Sequence, residues 1–198
     1  MVARIMSVGD KGIVEGVMET LRNHGIIAFP TETCYGLGGI YDFEDVRKKI
    51  YKIKRRSKQK ILPTIVSSIT VARKYATIPP AAERLVQVFY PRPLTIAVNK
   101  NFSFRVTSHP LMKRILRKLR LALIATSANI SAEKENYEFE RVKKLFSKRI
   151  DLIINTGDLP YNPPSTVYDI ENFKMIREGD IKEEEIKEVL EAFGFLKG

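Results

Sequence analysis

One cysteine in 198 residues, Cys34, excludes an intramolecular disulfide. Only two histidines, His24 and His109, accompany it, so a structural Cys/His zinc site lacks ligands. Apolar runs extend only a few residues, far short of the roughly 20 that cross a bilayer, and no membrane partner is expected. The opening MVARIMSVGD has neither the apolar segment nor the cleavage site of a secretory leader, which makes the cytoplasm the expected compartment. There is no internal repeat, low-complexity tract or Gly/Ser linker. There is also no GxxxxGK[ST] loop, and Gly36, Gly38 and Gly39 do not form GxGxxG. A nucleotide would therefore have to be held by side chains.

What is present describes one globular unit spanning 1–198, long enough to bury a core, with 44% apolar and 29% charged residues. The formal charge is +11, and the basic residues cluster at 47–60, 113–120 and 141–149. Such clusters attract polyanions, whether nucleotide phosphates, RNA or anionic surfaces. They equally fit the solvated surface of a lysine-rich thermophilic protein, in keeping with only two glutamines, Gln59 and Gln87.

Helical periodicity runs through 11–23, with Ile13, Val14, Val17, Met18 and Leu21 on one face, Asp10 as cap and Gly25 as stop. Further helices fit 42–53, 109–119 and 181–193. The last of these has Asp180 and Glu183 in capping-box spacing and Ile186, Val189, Leu190 and Phe193 inward. Strands are expected at 26–29, 63–67, 94–98, 103–107, 121–126, 151–155, 165–170 and 174–178. Interleaved helices with three late consecutive strands predict an α/β fold on a mixed sheet.

The densest chemistry is FPTETCYGLGG at 29–39, an apolar strand running into hydroxyls, a carboxylate, a phenol and glycines. Strand ends of this kind commonly build ligand sites. Lys54, Arg56 and Lys60 could converge on a triphosphate, or could be a charge run complementing a helix C-terminus. Ser127, Asn129 and Ser131 follow the apolar LALIA and read as nucleotide recognition or as a turn with an N-cap. Arg105, in a short strand, faces solvent or a cleft anion. Ser165 and Thr166 fit a strand-start turn, and Arg177 a surface position or a phosphate clamp. Cys34 has no histidine nearby in sequence to activate it, so packing is its expected role.

In order along 25–180, the blocks PTETCYGLG, Lys54-x-Arg56-x-x-x-Lys60, PLT at 93–95, Arg105-Val106 before His109-Pro110, SANIS, STVYD and Arg177-x-Gly179 together resemble the YrdC-like family of L-threonylcarbamoyladenylate synthases. The resemblance implies an open, twisted mixed sheet with flanking helices around a basic concave cavity. It implies a nucleotidyltransferase that makes threonylcarbamoyl-AMP and pyrophosphate from L-threonine, bicarbonate and ATP, with Mg²⁺ accompanying ATP. The product would serve threonylcarbamoyl modification of adenosine 37 in tRNA. Partners implied are tRNA or double-stranded RNA and a downstream threonylcarbamoyl transferase complex.

On the same resemblance, threonine would be held by Thr33, Tyr35, Arg105, the backbone around Ala125, and Ser165. ATP would be held by Lys54, Arg56, Lys60, Ser127, Asn129 and Arg177. No residue is expected to act as a covalent catalyst or metal ligand; positioning and charge neutralisation would do the work. The chain departs from the usual pattern at Ser57, Ile61, Arg92, Thr107 and Thr126, and Ile65 stands where many members have histidine. Its length matches the short form of the family, without the extra C-terminal domain. Two rival functions remain open at this level. One is a non-enzymatic RNA-binding module using the same basic cavity. The other is a carbamoyltransferase, a class whose cysteine-rich zinc motifs are missing here.

Overall fold

The computed structural model describes residues 2–57, 59–131 and 133–196. In chain order the elements are β1 (Arg4–Ser7), α1 (Ile13–Arg22), β2 (Ile27–Pro30), β3 (Tyr35–Gly38), α2 (Glu44–Lys54) and β4 (Thr64–Val66). Then follow α3 (Ile69–Ala72), α4 (Pro80–Phe89), β5 (Leu94–Ala97), β6 (Ser103–Val106), α5 (Pro110–Leu119) and β7 (Leu123–Ile124). The remainder are β8 (Thr126–Ser127), α6 (Phe139–Phe146), β9 (Leu152–Asn155), β10 (Thr166–Asp169), β11 (Lys174–Arg177) and α7 (Glu183–Ala192).

The expected α/β fold on mixed strands is present, but the strands divide into two sheets. One has the order β1-β9-β2-β3-β8 and the other β11-β10-β5-β6-β4-β7. Both are mixed: β1, β9 and β2 run parallel, whereas β2–β3 and β5–β6 pair antiparallel. The segment expected as one strand at 121–126 is what separates them. Its first part, β7, pairs with β4 in the six-stranded sheet, and its second, β8, pairs with β3 in the other. At the change of partner, the Ala125 amide donates to Pro63 O at 2.8 Å. Gly38 makes the crossing possible, because a Cβ there would lie 1.6 Å from Ile124 O.

Alternation along the strands sets the layers. In β2, Ile27 and Phe29 join the core beneath α1 and α5, with Val17, Leu21, Met112 and Leu116. Ala28 faces the opposite core beneath α2 and α6, with Val46, Ile50, Val142 and Phe146. Full burial of a side chain such as Leu21 contributes about 2 kcal/mol. The six-stranded sheet packs one face on α4 and α7 through Leu85, Phe89, Ile186 and Leu190, against Ile96, Phe104 and Tyr168. Intervening residues Thr95, Ala97, Ser103, Arg105 and Val167 face the other way, into a cavity.

The local caps differ from the expected ones. Asp10 does not cap α1; its carboxylate accepts Ser7 N at 2.7 Å, and Gly12 at φ 81° begins the helix. After α1, His24 takes the left-handed turn at φ 60°, and Gly25 N closes on Thr20 O at 2.9 Å. For α7 the capping carboxylate is Glu185, which accepts Lys182 N at 2.8 Å, in place of the Asp180–Glu183 pairing. Ile186 and Leu190 are buried and Val189 packs at the edge, but Phe193 is 48% exposed beneath the Arg84 guanidinium. Among the elements absent from the sequence reading, β3 and β1 complete the five-stranded sheet, and α3, α4 and α6 cover core faces.

Candidate functional site

The turn between β2 and β3 is organised by one hydroxyl. Thr31 Oγ1 donates to Cys34 O at 2.7 Å and accepts Thr33 N at 3.1 Å and Cys34 N at 3.2 Å. It also contacts Thr33 Oγ1 at 3.0 Å. A threonine directly after a strand-ending proline is the readable signal for such a turn. The turn presents Thr31, Thr33 and Cys34 to a cavity of about 640 Å³. Burial pushes the Cys34 thiol pKa up, so the sulfur stays protonated at neutral pH.

Beyond α2, Arg55 adopts φ 52° and Arg56 N bonds Tyr51 O at 2.9 Å, turning the chain away from the helix axis. The loop is tied back by Tyr51 Oη donating to Lys60 O at 2.9 Å and by Arg56 Nη2 donating to Ile61 O at 2.9 Å. Arg56, Gln59 and Lys60 thereby reach the cavity wall. Among the described residues Arg56 Nε has no hydrogen-bond partner, and burial presses the guanidinium pKa down.

On the sheet floor, Ser165 Oγ lies 3.0 Å from Thr95 Oγ1 and accepts Arg177 Nη2 at 3.1 Å. Arg177 also donates Nε and Nη2 to Ser165 O at 3.0 and 2.8 Å. Gly179 allows this closeness, since a Cβ there would lie 2.1 Å from Pro164 O. Arg105 projects from β6 into the same space and is 7% exposed. Glu135 is the acidic residue on this wall, facing four cationic side chains.

Of the residues expected at the site, Thr33, Arg56, Lys60, Arg105, Ala125, Ser127, Ser165 and Arg177 line this one cavity. Tyr35, Lys54 and Asn129 stand behind its wall. Tyr35 is fully buried and donates its hydroxyl to Gly157 O at 2.7 Å. Lys54 Nζ donates to Asn129 O and Oδ1, each at 2.9 Å, and to Ser127 O. Burial, reinforced by Arg56, pushes its pKa down to about 8. Asn129 in turn accepts Ser127 Oγ at 2.7 Å and donates to Glu133 O at 2.6 Å. These two residues therefore fix the backbone that presents Ser127. Thr31, Thr95, Ser103 and Glu135 also line the cavity and were not singled out from the sequence. Period-two alternation in β5 and β6 is the signal that finds Thr95 and Ser103.

Among the described residues no cluster of three His, Cys, Asp or Glu side chains could hold a metal, and no helix is long and apolar enough to cross a membrane.

A Sua5/YciO/YrdC family profile, described as "Telomere recombination", matches residues 19–179. A protein of Methanocaldococcus jannaschii, provisionally named a threonylcarbamoyl-AMP synthase, is 31% identical over 86% of this chain and 87% of its own. The threonylcarbamoyl-AMP synthase of Psychromonas ingrahamii is 29% identical over 81% of this chain and 93% of its own. The crystal structure of Pyrococcus abyssi Sua5 complexed with L-threonine superposes with a TM-score of 0.86 at 26% identity. It covers 96% of this chain, which spans 61% of the Sua5 chain.

Proposed function

Because the chain belongs to the Sua5/YciO/YrdC family, we propose that it is an L-threonylcarbamoyladenylate synthase, a nucleotidyltransferase acting on L-threonine, bicarbonate and ATP. The observation that carries this reading is the contact between Arg177 and Ser165. One is assigned to ATP and the other to threonine by family resemblance, and Nη2 and Oγ are 3.1 Å apart. The reaction requires that closeness. Threonine's ammonium first loses a proton, the free amine attacks bicarbonate with loss of water, and the resulting carbamate oxygen attacks the α-phosphorus as pyrophosphate leaves. Two anions must meet, and a wall of arginines lowers their repulsion.

In this reading Arg105 receives the threonine carboxylate, while Thr33 and Ser165 meet its polar groups. The Thr31 hub holds the Thr33 hydroxyl in place. Arg56, Lys60 and Arg177 neutralise the phosphates, the arginines by forked donation and the lysine as a point charge. Ser127 addresses the nucleotide, with Lys54 and Asn129 acting through it. Mg²⁺ would travel with ATP and rely mainly on the nucleotide, since among the described residues lining the cavity Glu135 stands without a second carboxylate. Its contribution would be charge neutralisation on the triphosphate. Cys34 has no part in the chemistry. The adenylate would pass to a cytoplasmic transferase complex that modifies tRNA.

The test is pyrophosphate release with single omissions. Release that needs threonine, bicarbonate and ATP together is expected. ATP turnover indifferent to threonine would refute the assignment.

A further inference from the structure

The ion pair formed by Glu32 and Arg105 has no assigned role. Glu32 lies in the turn of the five-stranded sheet, and Arg105 on the cavity face of the six-stranded sheet. Their side chains are 13% and 9% exposed, and Glu32 Oε1 stands 3.2 Å from Arg105 Nε. The contact lies off the hydrogen-bond line, so both atoms are buried with no hydrogen-bond partner among the described residues. The other oxygen, Glu32 Oε2, accepts Thr107 Oγ1 at 3.1 Å. Thr107 is fully buried, and its hydroxyl also accepts His109 N at 3.3 Å. The backbone of Glu32 is tied as well, its carbonyl accepting Asn162 Nδ2 at 3.3 Å.

A buried pair with unfilled hydrogen-bonding positions is a poor way to gain stability, because desolvation offsets most of the attraction. It is a good way to hold a guanidinium in one orientation within a cavity. Carboxylate recognition by arginine depends on that orientation, since the fork must lie in the plane of the incoming oxygens. Thr107 stands where the family pattern has proline, which offers no hydroxyl, so this chain adds a hydrogen bond to the counter-ion.

The geometry points to Glu32 as a positioning residue: anchored by Thr107, it sets Arg105 for the carboxylate of the amino-acid substrate. This rests on the reading of Arg105 as the carboxylate receptor. A purely structural Glu32 would affect every ligand alike, whereas a positioning one affects the amino acid alone.

The experiment is calorimetric titration of the full chain with L-threonine and, separately, with a non-hydrolysable ATP analogue, for wild type, Glu32→Gln and Thr107→Val. Glu32→Gln, which removes the charge that orients the Arg105 guanidinium, is expected to weaken threonine about tenfold. Thr107→Val is expected to weaken it about threefold, and the ATP analogue should stay within twofold for both. Threonine affinity unchanged or tighter in Glu32→Gln overturns the inference, as does a parallel loss for both ligands. Should Glu32→Gln not fold, Thr107→Val decides by the same criterion. A wild type that binds the ATP analogue but no threonine overturns this inference and the reading of Arg105 together. Wild-type threonine binding with indifferent variants overturns the inference alone.

Discussion

Lys54 and Arg56 lie two residues apart in one basic run, yet folding gives them different work. Lys54 falls in the last turn of α2, on its inward side, and is 1% exposed with Nζ meeting three acceptors. Arg55 then breaks the helix in the left-handed region, and Arg56 emerges toward the cavity. Spacing alone could not separate the two, because their divergence comes from one backbone angle at the helix end. The expected contrast follows. Lys54→Met removes three hydrogen bonds, although Asn129 Oδ1 keeps Ser127 Oγ and Ser127 O keeps Asn129 N, and should lower unfolding free energy by about 2–4 kcal/mol in urea titration. Arg56→Ala loses one hydrogen bond to Ile61 O, about 1 kcal/mol, but should lower kcat/KM for ATP by about 10- to 100-fold. Equal stability losses with unchanged kinetics would remove Arg56 from the site.

At the scale of elements, Arg92 shows how a departure from the family pattern becomes a joint. It follows α4 and reaches α7, donating Nε to Asp180 Oδ2 at 2.8 Å and Nη1 to Glu185 Oε2 at 2.6 Å. Arg92, with a side chain 38% exposed, holds the Glu185 carboxyl down at about 2, and Lys182 N assists by donating to it. A carboxyl depressed in the folded state stabilises fully above its unfolded pKa of about 4.5 and loses that contribution as pH falls toward 2. Arg92→Gly should thus lower the melting temperature by a few degrees near pH 7, about 1 kcal/mol after solvent screening. The gap should close between pH 4.5 and 2; a constant gap would deny the carboxylate its role. Helices with a clean apolar stripe, such as α1 and α5, were legible to within two residues. β3 was not, because YGLG reads as a glycine loop. Gly38 serves close approach to Ile124 O, a long-range contact that local pattern cannot carry, and Gly36 leaves room for the Phe29 ring. The division of the 121–126 segment between two sheets is likewise a tertiary event, set by the Ala125–Pro63 hydrogen bond.

For the molecule as a whole, the two sheets meet along the β7–β8 segment, and a cavity forms on the face of the six-stranded sheet turned away from α4 and α7. Polar blocks from 31 to 177 arrive there because they sit at strand ends or on one strand face. Their convergence was legible as an ordered set of motifs. The division into wall and buttress was not, since it depends on which side chains the folded backbone turns inward. The +11 charge is spread over helices and loops alike, and the cavity itself places Arg56, Lys60, Arg105 and Arg177 against Glu135. Such a balance suits a site that gathers a triphosphate, a bicarbonate and an amino-acid carboxylate. The most direct test of the account is the fate of carbon from ¹³C-bicarbonate in a reaction with threonine and ATP, followed by mass spectrometry. The account predicts a nucleotide product containing AMP, one threonine and one ¹³C, formed with pyrophosphate. Conversion of ATP to AMP or ADP with no threonine-linked, labelled nucleotide would contradict it.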